Sequence, residues 1–125
     1  MSASTIDAIA AKVRTALGSA DLEQFAELLD PRVTWGAPGD PSPPCQTRQQ
    51  VLAWYERGKA AGRRAQVLRV TTHGDKILVA MTVTSTAGDA AADRWQVLTV
   101  SGGRITDIRG YDREAEAQAA AEPSS

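Results

Sequence analysis

The feature that most constrains this chain is its second half, where runs rich in β-branched residues are cut by glycine-bearing turns. "AQVLRVTT" and "KILVAMTVTST" flank Gly74-Asp75, a two-residue hairpin signal. A small-residue loop around Gly88-Asp89 leads into "DRWQVLTV", and Gly102-Gly103 turns that run into "RITDIRGYD". Four successive strands joined by such short turns predict an antiparallel meander. A sheet of this kind must bury one face against something, so the first half of the chain has to supply the cover.

That half reads as helical. Ile6, Ile9, Ala10, Val13 and Leu17 recur at helical spacing behind Ser4 and Thr5. They predict a helix from about Thr5 to Leu17, ended by Gly18. Asp21 with Gln24 three residues on is a variant capping box. Leu22, Phe25, Ala26 and Leu29 form the apolar face of the helix it starts, and Asp30-Pro31 is expected to stop that helix. Val33 to Trp35 reads as a short strand. Thr47 with Gln50 repeats the capping signal ahead of a third helix that begins with Val51, Leu52, Trp54 and Tyr55 and ends near Gly62-Arg63-Arg64.

The resulting order is helix-helix-strand-helix-four strands. It predicts an α+β fold in which three N-terminal helices pack on a curved, mostly antiparallel sheet. One domain is expected over residues 1–113. Residues 114–125, "EAEAQAAAEPSS", form a C-terminal tail expected to be partly helical and then disordered. "WGAPGDPSPPC", which holds four of the six prolines and the one cysteine, joins the first strand to the third helix. Its prolines make it a rigid rim rather than a free linker.

Composition narrows the function. With 125 residues, a formal net charge of -1 and both signs scattered, the chain has no basic stripe for nucleic acid or a membrane surface. A single cysteine excludes an internal disulfide framework and a multi-cysteine metal site. The N-terminus lacks the apolar run of a signal peptide, and no stretch approaches ~18 apolar residues. A cytoplasmic location is the expectation, with no cofactor and no metal implied.

"ALGSADLEQFAELLDPRVTWGAPGDP", "QVLAWYERGKA" and "GGRITDIRGYD" resemble the nuclear transport factor 2-like superfamily, in its SnoaL-like branch, from about Thr5 to Asp112. The resemblance implies a cone-shaped α+β barrel with a deep apolar pocket, often joined into homodimers through the outer face of the sheet. One such fold hosts many chemistries. In its ketosteroid isomerase group, the positions of the helix tyrosine, the aspartate base and the protonated aspartic acid correspond to Val13, Trp35 and Gln96 here. In its epoxide hydrolase group, the acid of the last strand corresponds to Gly110, and the other acid and the arginine fall among Ala80, Met81 and Thr82. Neither catalytic set is present.

The remaining candidates line up by face. Trp35 either shapes the pocket or plugs it, with Trp54 and Met81 beside it. Tyr55 and Gln96 are neutral groups suited to binding a carbonyl or hydroxyl, Tyr55 on the strength of the resemblance. Asp112 is the candidate acid/base, since strand alternation puts it on the face of Gly110 and puts Asp107 on the other. Ile105, Asp107, Arg109 and Tyr111, with Trp95, Val97 and Thr99 on the preceding strand, read as the outer, dimer-forming face. Cys45 lies near a helix N-terminus, where a thiol can be activated, but reads as a small buried hydrophobe. His73 precedes a hairpin turn and is expected to face solvent. The functional expectation is a non-catalytic domain binding a small apolar molecule. The alternative is a cofactor-independent isomerase, cyclase or hydrolase acting through a pocket carboxylate.

Overall fold

The structure, a computed structural model, describes residues 3–19, 21–85 and 91–122. Its elements are α1 (Ala3–Ser19), α2 (Leu22–Leu28), β1 (Leu29–Gly36), α3 (Arg48–Ala60), β2 (Arg63–His73), β3 (Lys76–Ser85), β4 (Ala92–Ser101), β5 (Arg104–Tyr111) and α4 (Glu114–Ala121). The strands form one curved sheet in the order β1-β5-β4-β3-β2, with β1 parallel to β5 and every other pair antiparallel. The fold is therefore α+β, with helices ahead of β1 and a helix between β1 and β2. The loop expected around Gly88-Asp89 lies outside the described residues.

Local chemistry sets the boundaries. Asp21 accepts the backbone N–H of Gln24 and starts α2, and Thr47 accepts that of Gln50 and starts α3. In the second cap Gln50 reaches back to Gln46 N–H rather than to Thr47 N–H. Gly62, Gly74, Gly102 and Gly103 all have positive φ, so they serve the turns that join α3 to β2, β2 to β3 and β4 to β5. Two expected stops are corrected. Gly18 is helical, because α1 continues to Ser19. Helix α2 ends at Leu28, so Asp30-Pro31 already belongs to β1. Proline is tolerated there because β1 is an edge strand. The β1–β5 register also shifts between Leu29 and Thr34.

The main core lies between the concave face of the sheet and α1–α3. Val13, Phe25, Leu29, Val33, Val51, Ile77, Val79, Leu98 and Ile108 are fully buried in it. Ile105 belongs to this core as well, which corrects its placement on the outer face. The cause is a β-bulge: Thr99 pairs with Asp107 and Val100 with Ile105, leaving Thr106 as the extra residue. The bulge restores the inward direction at Ile105 and keeps Asp107, Arg109 and Tyr111 on the opposite face.

That opposite face is not bare. Helix α4 lies across it, with Ala117 and Ala121 fully buried against Leu78 and Val97, and with Trp95 and Tyr111 packed alongside. Val97 is only 4% exposed. Val97, expected on the dimer-forming face, is covered here by α4 of its own chain. Trp95, Thr99 and Tyr111 stay half-buried on this face. Arg109 is engaged internally, as described below. The tail is helical over α4, and its last three residues lie outside the described residues. Among the described residues no helix is long and apolar enough to cross a membrane.

Candidate functional site

The site is built around two neighbouring residues of α3 that point in different directions. Trp54 faces Trp35 of β1 with ring centroids 4.0 Å apart and planes tilted by 33°. Tyr55 turns inward, edge-on to Phe25 at 5.3 Å and to Trp54 at 5.2 Å. Its hydroxyl donates to Gln96 Oε1 on β4 at 3.1 Å. Among the described residues Gln96 is the one polar residue with a buried side chain, at 7% exposure, so this bond answers a real desolvation cost. Burial, the largest cause, pushes the Tyr55 hydroxyl up to about 12, against smaller opposing contributions from Gln96 and Trp35. Tyr55 therefore stays a neutral donor at any physiological pH. Trp35 Nε1 is buried without a hydrogen-bond partner in good geometry.

A cavity of about 930 Å³ opens beside this cluster. Trp35, Trp54, Met81 and Gln96 all line it. Tyr55 is not part of the lining. It packs edge-on against Trp54, which does line the cavity. Asp112 lines the cavity and is exposed, as are Arg63 and Arg94, while Asp40 lines it half-buried. Neither Asp112 nor Asp40 hydrogen-bonds to Tyr55 or Gln96. Gly110 sits against the edge of Trp35, and a Cβ there would meet Trp35 Cζ2 at 4.0 Å.

The rim confirms the stiff reading of "WGAPGDPSPPC" and adds a device that sequence reasoning missed. Trp35 and Cys45 form a β-bridge, N–H to carbonyl at 2.9 and 3.3 Å, which closes the excursion at its base. Gly36 packs so tightly on Pro43 that a Cβ would lie 2.8 Å from the proline Cβ. Arg109 then reaches over from β5. Its Nη1 donates to the carbonyls of Ala37 and Asp40, both at 2.9 Å, while its Nε bonds to Asp107 at 3.0 Å. Asp107 also accepts the hydroxyl of Thr34. Arg109 thus fastens the rim to the sheet. No local motif signals this, because the partners are carbonyls some seventy residues away.

Cys45 is buried at 5% exposure, and burial raises its thiol pKa despite the opposing charge of Arg57. Its sulfur faces the Gln50 carbonyl at 3.7 Å. His73 is half-buried and contacts the Thr71 hydroxyl at 2.9 Å. Among the described residues no group of three or more histidine, cysteine or acidic side chains is placed to hold a metal ion. Arg94 and Arg63 were also missed. Period-two alternation from the inward Gln96 would have placed Arg94 on the concave face.

Comparison with known proteins places this geometry. No curated protein matches the chain. Solved structures match over most of its length. A candidate ketosteroid isomerase from Kribbella flavida superposes with a TM-score of 0.73 at 23% identity, covering 98% of this chain and 84% of that one. A candidate polyketide cyclase from Sinorhizobium meliloti gives 0.67 at 24% identity, covering 86% and 98%. A nuclear transport factor 2-like protein of unknown function from Burkholderia pseudomallei gives 0.69 at 21% identity, covering 98% and 100%. At these identities the likeness is one of fold, with helices and a curved sheet in common. The model of the SnoaL-like domain matches residues 10–108. The chain belongs to the SnoaL-like domain family and has the nuclear transport factor 2-like fold.

Proposed function

We propose that the cavity beside Trp35 and Trp54 binds a small, mainly apolar molecule and that the domain acts on it as a binding or accessory module rather than as a catalyst. The observation that carries this reading is the state of the inner polar pair. The Tyr55 hydroxyl is spent on Gln96, beside an indole stack, and no carboxylate is hydrogen-bonded to either group. Proton abstraction needs a base within hydrogen-bond reach of the reacting carbon or its water. Around that pair the cavity wall carries indoles, a thioether and a neutral amide, and the carboxylates on the lining, Asp40 and Asp112, bond to neither member of it. An apolar wall with a few polar groups suits recognition.

Two of the structural neighbours carry enzyme assignments, which keeps a second reading open. Asp112 lines the same cavity, on its charged margin. In this reading Asp112 is the acid/base of a cofactor-independent isomerase, cyclase or hydrolase.

A thermal-shift screen of the purified chain against small steroids, aromatic polyketide fragments, epoxides and fatty acids tests the binding reading. A ligand that prefers the native state raises the melting temperature by mass action. The expected result is a reproducible shift that is lost in Trp54→Ala. Turnover of a bound compound that disappears in Asp112→Asn, with binding retained, would replace the module reading by the enzyme reading. No shift across the panel would overturn both.

A further inference from the structure

We infer that the molecule taken up here is a planar apolar acid, with its ring system against Trp35, Trp54 and Met81 and its carboxylate held by Arg63 and Arg94. This rests on the cavity reading above and names the class of ligand.

Strand register fixes where the two arginines stand. Cross-strand partners share a face. Met81 pairs with Arg94 and Val79 with Gln96, so Arg94 stands on the concave face with Gln96 and Met81. On the other flank of β3, Val67 pairs with Met81, Ala65 with Val83 and Arg63 with Ser85. Arg63 therefore continues the same inward row. Both arginines line the cavity, on the two strands that flank the end of β3.

Among the described residues neither arginine forms an ion pair with a carboxylate. The ion pairs among the described residues are Arg69–Glu114, Lys76–Asp75 and Arg109–Asp107. Arg94 donates only to the carbonyl of Asp93, next to it in sequence. Of the two carboxylates on the cavity margin, Asp40 lies on the rim that follows β1, the edge strand opposite β2. Its Oδ1 accepts the Ser42 N–H, and its carbonyl accepts Arg109. Asp112 follows Tyr111, whose partner is Trp95, so it lies at the same end of the ladder as Arg94. It forms no ion pair with Arg94.

The two halves of the cavity thus ask for different chemistry. Indole faces and a thioether favour a flat hydrocarbon. A guanidinium is a planar fork that fits a carboxylate through paired N–H donors. A ring acid satisfies both at once, whereas a neutral hydrocarbon leaves the arginines to water.

The test is isothermal titration of the full-length chain with 2-naphthoate and with its neutral isostere 2-naphthamide, at low ionic strength. 2-Naphthoate is expected to bind about tenfold more tightly, and added salt should erode that advantage. Arg63→Gln and Arg94→Gln should each weaken 2-naphthoate by about threefold to fivefold and leave 2-naphthamide unchanged. Asp112→Asn should tighten 2-naphthoate. Equal affinities for the two probes, or arginine variants that weaken both alike, would overturn the acid preference and leave the apolar cavity standing. Failure of both probes to bind would overturn the cavity reading and the acid preference together.

Discussion

Tyr55 on α3 and Gln96 on β4 are joined across the core by one hydrogen bond, hydroxyl to amide oxygen, at 3.1 Å. Removing one partner strands the other in a buried site, whereas removing both leaves only apolar groups. Tyr55→Phe is expected to cost about 1–3 kcal/mol in equilibrium denaturation. The pair Tyr55→Phe with Gln96→Leu should cost less than the sum of the two single changes, since they share one interaction. The same residue gives a pH signature. The Tyr55 hydroxyl is raised from its usual value to about 12 by burial, so the folded chain keeps a proton that the unfolded chain releases. Its contribution is fully present below about pH 10 and is lost as pH rises toward about 12. Relative to Tyr55→Phe, the wild-type chain should lose stability across that window, and a pH-independent difference would refute the assignment.

Gly36 and Gly110 make a paired test of the rim. A Cβ at Gly36 would sit 2.8 Å from Pro43 Cβ and 3.2 Å from its Cα, where a proline ring and backbone cannot yield cheaply. Gly36→Ala is expected to destabilise by about 1–3 kcal/mol, as overpacking does. A Cβ at Gly110 meets nothing closer than Trp35 Cζ2 at 4.0 Å. Gly110→Ala should therefore be neutral or stabilising by up to about 1 kcal/mol, through the unfolded chain. Chemical denaturation of the two variants side by side checks both signs.

Regular strand register is legible in the amino-acid pattern, whereas its interruptions are not. The resemblance pointed to Gln96 and Met81, and alternation put Trp95 and Val97 on one face; these positions lie in an unbroken β3–β4 ladder. Alternation failed at Ile105, because the extra residue Thr106 resets the direction and nothing in "GRITDI" marks a bulge. Helix periodicity found Trp54 and Tyr55 but not which of them would meet the cavity. That depended on the tertiary partners of each ring, Trp35 for Trp54 and Phe25 with Gln96 for Tyr55. Docking of α4 was hidden for another reason. Its buried residues are alanines, which read as helix formers rather than as a core, and only the sheet beneath them makes the contact apolar.

Cys45 is expected to behave as part of the packing. The thiol is buried, its pKa is raised by that burial, and its sulfur is turned toward the Gln50 carbonyl. The thiolate is the reactive form, so the folded chain should react with a disulfide reagent at neutral pH far more slowly than the denatured chain. Cys45→Ala should leave binding intact and cost about 1–2 kcal/mol for the lost packing. Rapid native-state labelling, or loss of binding in Cys45→Ala without loss of fold, would return the thiol to the list of functional groups.

Arg109 should govern the rim without touching a ligand. Its guanidinium is the shared partner of Asp107 and of the Ala37 and Asp40 carbonyls, in a half-buried setting where charged hydrogen bonds count for more than at the open surface. Lysine carries the charge but not the fork, so it cannot serve the carboxylate and both carbonyls together. Arg109→Lys and Arg109→Ala are both expected to loosen residues 37–44. The amides there should exchange faster in a hydrogen-exchange experiment, while those of β3 and β4 keep their protection. Global stability should fall by about 1–3 kcal/mol in the alanine variant and by less in the lysine variant. If protection in the rim is unchanged in both, the prolines and the Trp35–Cys45 bridge alone hold it in place, and Arg109 serves only its ion pair with Asp107.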